Sequence, residues 1–133
     1  VGLTRTTLAV GESASVQVTA RPRWNHSGVL LARGGRYRLT ADGTWHDAGI
    51  AAGPDGYPSP TVLLRATEWL RRSRRSPWFA LIGTIDRRQG FLVGRKTTVV
   101  APASGELVCY ANDAWLMYFN NRGAVALTVT RVG

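Results

Sequence analysis

Short apolar runs of period two, broken at close intervals by turn residues, restrict this chain more than any other feature. Residues 124–131 set Val125, Leu127 and Val129 against Ala126, Thr128 and Thr130, and residues 14–20 set Val16 and Val18 against Ser15, Gln17 and Thr19. Successive side chains of a strand point to opposite faces, so each run has one face to bury and one to wet. Runs of strand length recur at 28–32, 37–41, 78–85, 91–93, 97–100 and 107–111, and Thr44-Trp45-His46-Asp47 begins a further extended segment. Gly34-Gly35, Asp42-Gly43, 86–90 and 101–105 read as the turns between them. The expectation is an all-β chain of about eight or nine strands closing into a jelly-roll-like β-sandwich.

One stretch departs from this pattern. Residues 48–60 are rich in Gly and Pro and read as a long loop of the kind that often carries function. Ser59 as cap and Pro60 at the first helical position then open one short inserted helix. Val62, Leu63, Ala66, Trp69 and Leu70 recur there at helical spacing, Arg65, Glu68, Arg71 and Arg72 fall opposite, and the helix stops before Pro77.

With 133 residues the chain is expected to form a single domain over 1–133. A hydrophobic content of 44% with mean hydropathy near zero fits a soluble globular fold. No apolar run approaches the roughly 18 residues that would cross a bilayer, so membrane insertion is not expected. The N-terminus shows no basic segment leading into an apolar core and cleavage site, which leaves the compartment open between cytoplasm and release without a classical signal. Cys109 is the sole cysteine; it reads as a small buried hydrophobe, with a reactive thiol as the other option.

Two features carry possible chemistry. Between the runs at 105–111 and 124–131 lies an oxygen-rich loop: Asp113 offers a carboxylate, and Asn112, Asn120 and Asn121 offer carboxamides. Hard oxygen ligands of this kind suit calcium better than magnesium or zinc. The same residues equally suit a hairpin loop whose Asn-Asn-Arg-Gly end supplies left-handed backbone positions. The second feature is charge. A net +9 comes almost wholly from arginine, Lys96 being the only lysine, and four arginines cluster at Arg71, Arg72, Arg74 and Arg75. Guanidinium forks match phosphate, sulfate or a uronic acid, although arginines in a last helical turn also complement the helix dipole. Nucleic acid fits less well, because no aromatic residues alternate with the charges and no recognised nucleic-acid module is present.

The order and spacing of several motifs resemble the small bacterial calcium-dependent galactophilic lectins of the PA-I type, which have a galactose-binding-domain-like jelly roll. The matching residues are Trp24-Asn25-His26-Ser27-Gly28, Gly35-Arg36-Tyr37, Ala41-Asp42-Gly43-Thr44-Trp45-His46-Asp47 and Gly53-Pro54-Asp55-Gly56. Downstream they are Phe79-Ala80-Leu81-Ile82-Gly83, Ala101-Pro102, Ser104-Gly105-Glu106-Leu107, Asn112-Asp113 and Asn120-Asn121-Arg122-Gly123. The resemblance implies one Ca2+ held by Asp113, Asn120, Asn121, the carbonyl of Met117, and a carbonyl or carboxylate of Asp47, with the His46 carbonyl as the alternative. It implies sugar contacts from Tyr57, Asp113, Ala114, Met117 and Asn120. Tyr57 would offer its ring to a pyranose or pack within its loop. Such lectins assemble, so a homo-oligomer that binds glycans multivalently is also implied.

No catalytic constellation is legible. His26 and His46 stand in no recognised motif, and the pairing of Asp47 with Asp113 is better read as ligation than as hydrolytic acid and base. The expectation is therefore a binding domain and not an enzyme. Its ligand is a carbohydrate held through calcium, or an anionic partner held through the arginine cluster without metal.

Overall fold

A computed structural model describes residues 5–57 and 70–133, so most of the helix expected from Ser59 onward lies outside the described residues. The strands are β1 (Thr6–Thr7), β2 (Ser13–Thr19), β3 (Asn25–Leu31), β4 (Arg36–Asp47), β5 (Ile50–Ala52) and β6 (Asp55–Tyr57). They continue as β7 (Trp78–Ile85), β8 (Phe91–Leu92), β9 (Lys96–Val100), β10 (Gly105–Ala111) and β11 (Asn121–Arg131). A 3-10 turn, Tyr118–Asn120, leads into β11.

These strands form two facing sheets. One runs β2-β11-β4-β5, with β9 also paired to β4; the other runs β1-β3-β10-β7-β6, with β8 also paired to β7. The pairings are antiparallel except for β1 with β3. Alternation does the work predicted of it: Val125, Leu127 and Val129 of β11 are fully buried, as are Tyr37, Leu39 and Trp45 of β4. From the opposite sheet Phe79, Leu81, Leu107 and Cys109 meet them in one apolar core. Burial also pushes the Cys109 thiol up to about 12, so at neutral pH it packs as an uncharged apolar group.

Two local expectations give way to tertiary pairing. Asp42-Gly43 is not a turn: β4 runs straight through it, with Asp42 opposite Ala126 and Gly43 opposite Val125. A Cβ on Gly43 would lie 3.2 Å from the Val125 Cα, so glycine here permits close approach of β11 and does not reverse the chain. The reversal comes at Ala48, whose φ is 53°, and it lets β5 fold back on β4. The long loop expected over 48–60 accordingly contains two short strands, β5 and β6.

Strand β7 is buried along its whole length. Its outer face carries a second small cluster in which Ala80 and Ile82 pack with Tyr110 of β10, and Trp24 lies against them. Within the strand Phe79 has a φ of 62°, and its carbonyl accepts a 3.0 Å hydrogen bond from the Trp45 indole. Beside it Gly56 has a φ of 74°, and a side chain there would run into the Trp78 carbonyl and the Ala80 amide. Gly56→Ala is therefore expected to lower stability by about 2 kcal/mol or more, read as a shifted urea midpoint with unchanged slope. A midpoint equal to that of the parent protein would contradict this packing.

Candidate functional site

At one end of the sandwich the strand termini bring the oxygen-bearing residues together. Asp47 ends β4 and Asn121 begins β11, and the two are register partners. Asn120 precedes Asn121 at the end of the 3-10 turn, and its carbonyl accepts the Ala48 N–H at 3.2 Å. Tyr57 ends β6 and donates its hydroxyl proton to Asp47 Oδ2 at 2.6 Å. Asp113 arrives from the far sheet just after β10, so residues from both sheets meet here.

Acceptors outnumber donors at this point. Asp113 is 3% exposed; its Oδ1 accepts the Ala114 N–H at 2.7 Å, whereas its Oδ2 is buried with no hydrogen-bond partner in the protein. The Asn121 amide donates to the Ala20 carbonyl at 3.2 Å, which turns Asn121 Oδ1 away from that bond and leaves it without a donor. Asn120 Oδ1 is likewise buried and partnerless. A buried acceptor without a donor costs about 1–3 kcal/mol, so three such atoms on two adjacent asparagines and on the aspartate that Asn121 contacts form an unusual concentration. Burial raises the Asp113 carboxyl from 3.8 to about 6, the Asp47 charge adds to the rise, and the Ala114 N–H and the Asn121 side chain oppose it. Burial also raises the Tyr57 phenol, helped by its hydrogen bond to Asp47 and by the charges of Asp47 and Asp113. The carboxylates keep some donors, the Ala114 N–H and the Asn121 side chain on Asp113 and the Tyr57 hydroxyl on Asp47. Asp113 Oδ2, Asn120 Oδ1 and Asn121 Oδ1 are nevertheless left over, and an excess of buried oxygen acceptors is the chemical complement of a hard cation.

The other expected site residues fall differently. Tyr57 is 9% exposed, so it reaches the site through its hydroxyl and presents no open ring face. Ala114 supplies its N–H to Asp113, and Met117 donates its own N–H to the Ala114 carbonyl while its side chain faces solvent. Asn112 does not join the oxygen set. Its Oδ1 accepts the Ser73 N–H at 2.8 Å, and its amide serves the carbonyls of Ser73, Ser76 and Pro77. It is a buried stitch that fastens the segment before β7 to the end of β10.

The arginine cluster is split. From Arg71 the backbone forms a bridge to Ala114 and then turns, so these residues do not occupy a last helical turn. Arg71 donates to the carbonyls of Ser76 and Arg74 and lies over the Trp78 ring at 5.6 Å. The Arg72 guanidinium sits among four rings, 3.5 Å from the centroid of Tyr110, 4.3 Å from Trp24, 4.7 Å from Trp115 and 5.5 Å from Tyr118. It donates to the Arg23 carbonyl at 2.6 Å and to the Tyr118 hydroxyl at 2.8 Å, and that hydroxyl in turn donates to the Ala111 carbonyl. Arg72 thus closes the outer apolar cluster and pins the loop that carries Asp113, whose carbonyl accepts the Arg72 N–H at 3.1 Å. Arg74 and Arg75 are the exposed members. No sequence signal marks this cage, because its rings come from the approach to β3, from β10 and from the loop after it.

Two outcomes follow. A carboxyl raised by folding makes the folded chain hold its proton more tightly than the unfolded one. In chelator, the Asp113 contribution to stability is therefore fully present below pH 3.8 and is lost as pH rises through about 6. Urea titrations across that window should show a fall on the order of 2 kcal/mol that Asp113→Asn abolishes. Arg72→Ala should cost about 2–3 kcal/mol, and Arg72→Lys should recover only part, because an ammonium cannot stack flat on Tyr110. A loss below about 0.5 kcal/mol for Arg72→Ala would make the cage incidental.

No protein-family model matches the sequence, and no curated protein does. Among solved structures, eight chains match. One is the N-terminal domain of EclA, a PllA-like lectin, with a TM-score of 0.67 and 21% identity over 88% of this chain and 94% of that one. The chain has a β-sandwich fold similar to that of this lectin domain.

Proposed function

We propose that this end of the sandwich is a calcium-dependent carbohydrate-binding site, and that the protein works as a lectin domain and not as an enzyme. The observation that carries the reading is the set of buried, partnerless oxygens on Asp113, Asn120 and Asn121 beside the Asp47 carboxylate. The residues that would hold the ion are those four together with the Met117 carbonyl. When bound, calcium offers open coordination positions to two adjacent sugar hydroxyls. The chain's own part is to fix the ligand oxygens and to accept hydroxyl protons on carboxylate and carboxamide oxygens.

Three supports converge on this reading. Its ligand residues agree with those implied by the PA-I-type resemblance, which also points to galactose-type sugars with cis hydroxyls. The fold is similar to that of a lectin domain. Neither Asp47 nor Asp113 is left as a free acid or base, because Asp47 is bonded to Tyr57 and both would be ligands. Association of several copies would strengthen weak single-site binding through avidity.

The test is thermal unfolding and glycan-array binding, each run in calcium and in chelator. Calcium at about a hundred times its dissociation constant should stabilise the chain by roughly 2.7 kcal/mol, and glycan signal should vanish in chelator. Asn120→Ala removes one orphaned acceptor. It should leave melting in chelator unchanged or slightly higher while erasing the calcium shift. Identical melting and identical glycan signal with and without calcium would end the proposal.

A further inference from the structure

The loop between Asp113 and Asn120 has an outer side that ion ligation does not use. Trp115, Leu116, Met117 and Phe119 are 47%, 78%, 43% and 66% exposed, and only Tyr118 turns inward. Four large apolar side chains within five residues at the tip of one loop go well beyond the scattered exposure normal on a soluble surface. The tip is also held in place. Trp115 lies edge-on to Trp24 at 6.2 Å and stands 5.3 Å from the Arg23 guanidinium, whose Nε donates to the Trp115 carbonyl at 2.7 Å.

Exposed arginines lie on the segments that meet the base of this tip. Arg23 touches it directly; Arg74 and Arg75 follow the bridge between Arg71 and Ala114; Arg122 follows Asn121. Exposed carboxylates among the described residues lie elsewhere. Glu12 bonds the Ala9 amide, Asp55 pairs with Arg95, Asp86 bonds the Glu106 amide, and Asp42 sits opposite Ala126 along the sheet. A cationic collar alone would suit any polyanion, and an apolar tip alone would suit many protein partners. A short apolar tip with an arginine against it and more arginines on the adjoining segments matches the layered chemistry of an anionic lipid surface, with phosphates outside and hydrocarbon beneath.

We propose that the 115–119 loop docks the domain on anionic membranes. Trp115, Leu116 and Phe119 enter the boundary between headgroups and acyl chains, while Arg23, Arg74 and Arg75 meet lipid phosphates. The contact is peripheral, since no helix among the described residues is long and apolar enough to cross a membrane. It needs neither calcium nor sugar and so stands apart from the carbohydrate reading.

The test is co-sedimentation of the full chain with phosphatidylcholine vesicles, with and without added phosphatidylserine, in chelator and in the absence of any glycolipid. Binding should require phosphatidylserine and weaken with salt. Leu116→Ser/Phe119→Ser should lower affinity by at least on the order of tenfold, and Arg74→Glu/Arg75→Glu by a similar factor. Both pairs of side chains are exposed, so melting of the variants should match the parent protein. Acyl chains carrying bromine should quench tryptophan emission in the parent protein and much less in Trp115→Phe. Binding that the Leu116→Ser/Phe119→Ser change leaves intact would mean adsorption by charge alone and would overturn the wedge. Absence of vesicle binding would overturn it too, as would vesicle-free self-association that the same change abolishes, because a second copy would then cover the tip.

Discussion

Because β4 and β11 pair residue for residue from Tyr37 opposite Arg131 to Asp47 opposite Asn121, alternation along the ladder decides where the site's oxygens stand. A slip of one residue would carry Val125, Leu127 and Val129 to the solvent face, at a cost of about 1.5–3 kcal/mol for each side chain. The core thus enforces a register whose last pair is Asp47 with Asn121. Gly43 lets the ladder stay continuous, since it takes a φ of 123° that side chains disfavour and admits β11 where a Cβ would sit tightly, 3.2 Å from the Val125 Cα. Site geometry is here a by-product of burial further along the same two strands.

The other half of the site needs a further restraint, because beyond Asn112, whose backbone still bonds Phe79 and Ala80 of β7, residues 113–120 connect strands in opposite sheets. Arg72 supplies it. Placing a guanidinium among Tyr110, Trp24, Trp115 and Tyr118 removes it from water, and the ring faces together with the Arg23 carbonyl and Tyr118 hydroxyl offset that loss. The Arg72 main chain then holds the Asp113 carbonyl, and Asn112 ties the neighbouring residue to Ser73, Ser76 and Pro77. Asp113 is therefore held through its own carbonyl and through its neighbour Asn112, while its carboxylate takes the Ala114 N–H on one oxygen and meets the Asn121 side chain. The same stack sets the direction of Trp115, so a rigid underside and an exposed tip are two faces of one loop.

What could be read beforehand follows from how far apart the interacting residues lie in sequence. Alternation and short apolar runs are both local signals: the alternating runs at 14–20 and 124–131 became β2 and β11, and the apolar runs at 78–85 and 107–111 became β7 and β10, with small shifts at their ends. Asp42-Gly43 misled because the dipeptide favours a turn only when no partner strand lies across it; β11 does, and pairing outweighs propensity. Motif order singled out Asp47, Asp113, Asn120 and Asn121, of which the fold pairs Asp47 with Asn121 and sets Asp113 against both, whereas the diversion of Asn112 to the Ser73 turn left no mark in the sequence. Its partners lie 35 to 39 residues away, and nothing in the Asn112-Asp113 pair tells which side chain faces which way. The arginines misled in the same manner, since a run of like charge reads as one patch although Arg71 and Arg72 turn onto carbonyls and rings while Arg74 and Arg75 do not.

A protein of net charge +9 is an unpromising host for a divalent cation, and that tension limits how such a site can work. At physiological salt, fields from surface arginines fade over roughly 8 Å, so an ion among Asp47, Asp113, Asn120 and Asn121 would respond mainly to those oxygens. Two carboxylates match the charge of one dication, and the carboxamides add ligands without adding charge. The arginines flanking the loop remain cationic whether or not the ion is present. Charge neutralisation among the buried oxygens and attraction at the exposed arginines can thus coexist around one short segment, because low local dielectric strengthens the short contacts of the first while salt screens the second.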